Sequence, residues 1–161
     1  MTDKDDFKTD LFSALKKDMT VMLAVEGKGV HARPMTAQFD GDSHAIYFFT
    51  TKDTEVAEKV SRSTKATITF ASKGHDLFAH IHGKLTADND RALIDRLWNR
   101  FVAAWFEGGK DDPKLTLLRF DAEDAEVWKD ASSLVAGVRM FLGMGDPKED
   151  YKDKFAEVNL R

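Results

Sequence analysis

The sequence predicts a mainly β fold of the α+β class, a small antiparallel barrel of six strands with flanking helices. Three observations carry this. Short strand-like runs recur along the chain, among them 65–71 (KATITFA) and 77–85 (LFAHIHGKL). Helix-period segments are few and scattered, where a parallel doubly wound sheet would need one between successive strands. No Gly-x-Gly-x-x-Gly or Gly-Lys-Ser/Thr motif opens a helix, and there is no Gly-x-Ser-x-Gly elbow, so Rossmann and P-loop readings have no support.

In chain order, residues 5–18 place Phe7, Leu11, Phe12 and Leu15 at helical spacing, with Lys16 and Lys17 where cations suit the helix dipole. Residues 20–26 (TVMLAVE) read as a buried strand, and Gly27-Lys28-Gly29 turns it into a central stretch, 30–51. That stretch reads as a hairpin: a strand bearing His31, Arg33, Pro34 and Met35, a polar turn at Asp40-Gly41-Asp42-Ser43, and a second strand from Ala45 to Phe49. The first three strands would then form an antiparallel meander. Alternation puts His31, Arg33 and Met35 on one face, and Pro34, which cannot donate to a ladder, belongs at a sheet edge or bulge. Residues 53–63, with Val56 and Val60 one turn apart, read as a one-sided surface helix.

After the strand pair 65–71 and 77–85, the longest helix is expected. Asp88 or Asp90 can cap it, and Leu93, Ile94, Leu97, Trp98, Phe101, Val102 and Trp105 form a stripe wide enough to cover the open end of a barrel. Gly108-Gly109 and Pro113 end it. Residues 115–120 and 125–128 read as a closing strand pair, or as one long strand bulged at 121–124. Residues 131–141 could form a short helix, 143–154 read as a charged, mobile-looking stretch, and 143–161 is taken as a charged C-terminal tail.

At 161 residues the chain is read as one domain, with the barrel over about 20–130. A charged fraction of 32% and a hydrophobic fraction of 42% are a globular balance. The net charge of -4, with no cluster of arginine and lysine among aromatics, argues against a nucleic-acid surface. The absence of cysteine removes disulfides, thiolate metal sites and cysteine nucleophiles. The acidic start, MTDKDDFKTD, lacks the apolar core of a signal peptide, and no apolar run reaches membrane-spanning length, so a cytoplasmic protein is expected.

Histidine is the remaining chemical candidate. His80 and His82 share one strand face, with His75 just before them, but no third ligand of metal-site spacing accompanies them. Solvated or hydrogen-bonded histidines are the better reading. Asp111-Asp112, between Gly-Gly and Pro, reads as a helix-ending loop.

The ordered combination His31-Ala32-Arg33-Pro34-Met35, Tyr47-Phe48-Phe49-Thr50-Thr51, Trp98-Asn99 with 104–113 (AWFEGGKDDP), and Ala125-Glu126-Val127-Trp128 resembles the general stress proteins of the pyridoxamine 5'-phosphate oxidase-like superfamily. The resemblance spans roughly 7–128. It implies an FMN-binding split β-barrel, a homodimer with flavin (FMN, or FAD) in clefts at the subunit interface. Carried over by position, Arg33-Pro34-Met35 would lie along the flavin ring with Arg33 toward the phosphate or ribityl end, and Phe49, Thr50 and Thr51 would supply backbone and hydroxyl contacts. Trp105 would be an aromatic wall contributed across the dimer, and Trp128 belongs more to the core. His31 would lie near the flavin, where it could orient Arg33 or a phosphate.

The chain departs from that family's pattern in one place. Flavin-binding relatives carry a serine or threonine followed closely by lysine, often with an arginine beside it, as a phosphate clamp. Here Thr54 keeps the hydroxyl, Glu55 and Val56 stand where the cations would be, and Lys59 or Lys52 is left to compensate. The chain's end also lacks the arginine-rich segment that holds the substrate phosphate in true pyridoxamine-phosphate oxidases, which argues against vitamin B6 synthesis. The resemblance therefore implies a flavin-binding general stress protein. The alternatives are an FMN-dependent oxidoreductase acting on an unknown small substrate, and a split-barrel dimer that has lost flavin and binds another ligand such as haem, which some relatives hold through histidine.

Overall fold

The computed structural model describes residues 4–27, 30–60, 63–129, 143 and 154–161. Helix α1, Lys4–Asp18, buries Phe7, Leu11, Phe12 and Leu15, the stripe its spacing predicts. It ends at Met19, in the left-handed region at φ 62°, and strand β1, Thr20–Val25, follows at once. Strands β2, Arg33–Thr36, and β3, Ile46–Thr51, flank the polar loop. Helix α2, Glu55–Lys59, turns its one buried side chain, Val56, inward. Strands β4, Thr64–Ala71, and β5, Leu77–Ala87, form the hairpin the alternation predicts.

The sheet runs β2-β1-β4-β5-β6-β3, where β6 is Leu115–Lys129, a single strand of 15 residues. This is the six-strand path expected, with all ladders antiparallel. It stops short of closing. Its end strands, β2 and β3, meet only at one isolated bridge, Gln38 to Tyr47. The central stretch is therefore not a hairpin, and the first three strands are not a meander: β2 pairs with β1, while β3 crosses to β6. The polar loop carries the chain over the gap, and Pro34 sits on the edge strand, where a missing N–H costs no ladder bond.

The 115–128 segment takes the single-strand form. Its pairing with β5 shifts register between His82 and Gly83, with His82 opposite Asp124 and Gly83 opposite Ala122, so Glu123 is the extra residue of a bulge. The bulge divides β6. Residues up to Phe120 pair with β3, and those from Asp124 onward pair with a seventh strand, β7, Phe155–Asn159.

The last part of the charged tail is thus a strand of the sheet. Ala156, Val158 and Leu160 are buried in the main core, so the alternating AEVNL pattern wins over the charged residues around it. The short helix expected over 131–141 lies outside the described residues.

The expected long helix is two short ones, α3, Arg91–Leu97, and α4, Arg100–Ala103. Asp90 caps the first, accepting from Leu93 N at 3.0 Å. Asn99 interrupts the run because its Oδ1 accepts from both Phe101 N and Val102 N at 3.0 Å, restarting the helix in a new direction. Two apolar clusters result. The barrel interior holds Ile46, Phe48, Leu118 and Phe120 with α1. The opposite face of β3 and β6 holds Tyr47, Leu115 and Leu117 against Leu93, Ile94, Leu97, Val102 and Phe106. Strand β3 is thus buried on both sides, which fixes the far wall of the gap.

Candidate functional site

The gap between β2 and β3 is a cavity of about 430 Å³, within the range of small-molecule sites. From β2 and its neighbours come Thr20, Pro34, Met35, Thr36 and Gln38. From β3 and the turn after it come Phe49, Thr50, Thr51 and Thr54, and from α4 and the following turn Phe101, Val102, Trp105 and Phe106. Its position follows from register. Continued from the Gln38–Tyr47 bridge, an antiparallel ladder would pair Thr36 with Phe49, Met35 with Thr50 and Pro34 with Thr51. All six residues line the cavity instead.

Among the site residues expected from the sequence, Pro34, Met35, Phe49, Thr50, Thr51, Thr54 and Trp105 converge here. Trp105 stands at the mouth of its own chain's cavity, 82% exposed, beside Phe101 at 70%. Arg33 and Lys59 are not among the lining residues. Lys59 is exposed in the last turn of α2. Arg33 sends Nη2 to Glu55 Oε2 at 3.0 Å, while its Nε is buried without a hydrogen-bond partner. His31 is exposed, and Glu55 rather than His31 orients Arg33. Sequence reasoning missed the cavity roles of Phe101 and Val102, which read as barrel-covering core, and of Phe106, which it gave no role. Asn99, a strong N-cap inside the apolar stripe, was the signal that the helix turns there.

The threonines form a hydrogen-bonded row. Thr54 Oγ1 donates to the Thr51 carbonyl at 2.9 Å and accepts from Ala57 N at 3.3 Å, capping α2. A hydroxyl has one proton, so at the 3.1 Å contact between Thr50 and Thr54 it is Thr50 that donates. The Thr51 hydroxyl bonds the Asp53 carboxylate and is the main reason Asp53 lies below its usual range. Every hydroxyl proton of the row is engaged, and Thr54 Oγ1 already accepts twice, so the lone pairs left for a ligand are those of Thr50 and Thr51. The site therefore offers apolar and aromatic walls around an acceptor-rich edge. It suits a flat apolar molecule with N–H or O–H groups on its rim.

The other candidates lie elsewhere. His82 Nδ1 pairs with Asp124 Oδ1 at 2.8 Å, and its ring sits edge-on to His80 with centroids 4.7 Å apart. Among the described residues no group of three or more histidine or acidic side chains could hold a metal ion. Trp128 packs on Phe155 at 5.3 Å. Asp111 pairs with Arg91, and Asp112 accepts from the amides of Gly108 and Lys114, so both belong to the loop that follows α4. Among the described residues no helix is long and apolar enough to cross a membrane.

A six-strand antiparallel path, left open by all but one bridge and holding its cavity between the two end strands, defines a split barrel. The chain belongs to the pyridoxamine 5'-phosphate oxidase-like family, whose description it matches over residues 6–145. Its relatives there include general stress proteins. It is 32% identical over 125 residues to general stress protein 26 of Bacillus subtilis (strain 168), an alignment covering 75% of this chain and 87% of that one. A general stress family protein of Xanthomonas campestris pv. campestris is 51% identical with a TM-score of 0.77, over 83% of this chain and 93% of the other. The general stress FMN/FAD binding protein of Xanthomonas citri is 50% identical with a TM-score of 0.75, over 80% and 92%.

Proposed function

We propose that this general stress family protein binds a flavin, FMN or FAD, in the cavity between β2 and β3, and works as a homodimer without vitamin B6 oxidase activity. The observation that carries the reading is the match between the cavity and an isoalloxazine: apolar walls from Met35, Phe49, Phe101 and Trp105, and an acceptor edge at Thr50 and Thr51, with Thr54 holding the row in place. The flavin-binding name of the Xanthomonas citri relative, half identical in sequence, supports the same ligand class. Pro34 and Met35 would lie along the ring, the threonines would accept from its N–H and from ribityl hydroxyls, and Trp105 would cover it. Bound flavin supplies hydride and electron transfer, and the chain's part is to hold and orient the ring and exclude water.

The dimer reading rests on exposed apolar surface at the cavity mouth. Phe101 and Trp105 are 70% and 82% exposed side by side at the cavity mouth, where a second chain would cover them.

The test is the visible absorbance of the purified protein, followed by FMN titration read by quenching of flavin fluorescence, with light scattering for the mass. Flavin bands or micromolar FMN binding, weakened in Trp105→Ala, in a particle of two chains is the expected result. No binding at micromolar FMN overturns the flavin reading, and a monomer overturns the shared site.

A further inference from the structure

The cavity's inventory of donors and charges says which part of a flavin it can recognise. A phosphate monoester brings nearly two negative charges and needs cations and donors to meet them. Arg33 is the cation nearest in sequence to the β2 wall. It is opposite Leu23 in the ladder, just as Met35 is opposite Val21, so both side chains rise from the same sheet face. Its Nη2 is already on Glu55, at side-chain exposures of 34% and 38%. Glu55 in turn follows Thr54, which lines the cavity. A ligand phosphate that reached Arg33 would meet the Glu55 carboxylate as well. The threonine row offers it lone pairs, since the hydroxyl protons are engaged. The other donors along the lining, the Gln38 amide and the Thr20 and Thr36 hydroxyls, are uncharged, and the buried Arg33 Nε belongs to a guanidinium whose charge is already balanced.

Building on the flavin reading, we infer that Glu55 sets the anion tolerance of this site: by holding Arg33 it makes the cavity bind flavin through ring and polyol, almost indifferent to a terminal phosphate. Riboflavin and FMN are held alike, and the charge-neutral pair leaves little salt dependence in the difference between them.

The experiment titrates riboflavin and FMN separately into the full chain by fluorescence quenching, in wild type and Glu55→Gln, at low and high salt. A melting curve shows that each protein is folded. In wild type the two ligands should bind within about threefold of each other, with a ratio unmoved by salt. In Glu55→Gln, removal of one charge from a partly solvated rim should tighten FMN by about threefold to tenfold, lessened by salt, and leave riboflavin unchanged. A wild-type preference for FMN of about tenfold or more that fades with salt would overturn the inference without any variant. So would an unchanged ratio in folded Glu55→Gln. If wild type binds neither flavin, the flavin reading falls and this inference with it, a result distinct from an unchanged ratio.

Discussion

Replacing Gly83 with alanine tests the bulge that shapes the long strand. A Cβ built at Gly83 lies 2.4 Å from the Asp121 carbonyl oxygen and 2.6 and 2.9 Å from the Phe120 ring carbons. The nearest distances are about an ångström short of ordinary contact. Neither neighbour can swing aside, since one is backbone in the β5–β6 ladder and Phe120 is fully buried. Overpacking of this kind costs about 1–3 kcal/mol, and alanine returns about 0.4–1 kcal/mol by stiffening the unfolded chain. The net loss should be about 1.3 kcal/mol, a fall of about 3–5 °C in the melting midpoint for a chain of this size. Thermal melting followed by circular dichroism reads it, with urea unfolding for the free energy. Gly41 is the control. It has φ +58° and nothing within 4 Å of a built Cβ, so its cost is conformational alone, about 1 kcal/mol. Asparagine, which tolerates that conformation, should recover part of the loss at 41 and none at 83. A Gly83→Ala midpoint equal to or above wild type would refute the close-approach account of the bulge.

Two further predictions concern the frame around the site. Deleting 155–161 removes β7 and the buried Val158 and Leu160; at about 1.5–3 kcal/mol each the loss should be at least about 3 kcal/mol, and an unchanged urea midpoint would mark the segment as a passive tail. His44 stacks on Phe12 at 4.5 Å, and burial, then Lys8 and Lys16, hold its imidazole below the usual value. The folded state therefore favours neutral His44: its contribution is full above about pH 6.5 and is lost as pH falls through the folded value. An NMR titration should place its midpoint below that of a free histidine, and His44→Phe should remove this part of the acid-side decline in urea midpoint. A midpoint at or above the free value would refute it.

Much of the fold was legible because its elements follow simple periods. The stripe of α1, the alternation of β4 and β5, and the Asp90 cap needed only local pattern. What failed depended on partners distant in sequence. Nothing local tells 30–51 that its two strands face each other across a gap, because Pro34 and the polar loop suit a hairpin edge and a split edge equally well. The helix break at Asn99 is local, but seven apolar side chains at helical spacing outweighed a single cap residue. The β7 strand was hidden by the charged residues before it, since a five-residue alternation is recognisable only once β6 offers an unpaired edge. The site was legible as a set of residue types. Its charge balance was not: Glu55 read as a departure from the family's pattern, and only the 3.0 Å contact shows that it holds Arg33.

The register across the gap explains why a site arises there. A closed barrel would have zipped Thr36, Met35 and Pro34 onto Phe49, Thr50 and Thr51, gaining backbone bonds worth about 0.5–1.5 kcal/mol each. Each end strand is instead held from its other side. Strand β2 is held by β1; β3 is held by β6 and by the second cluster, in which Tyr47 packs with Leu93, Ile94 and Leu97. Both walls are therefore rigid without touching one another, and the edges keep backbone groups that no strand satisfies. Side chains that would have alternated inward and outward in a ladder now line one opening, and α4, redirected by Asn99, brings Phe101 and Val102 over it. A ligand bound there would take the place of the missing strand pairing. A flat molecule with polar edges can do so, because it meets acceptors along its rim and apolar side chains on its faces.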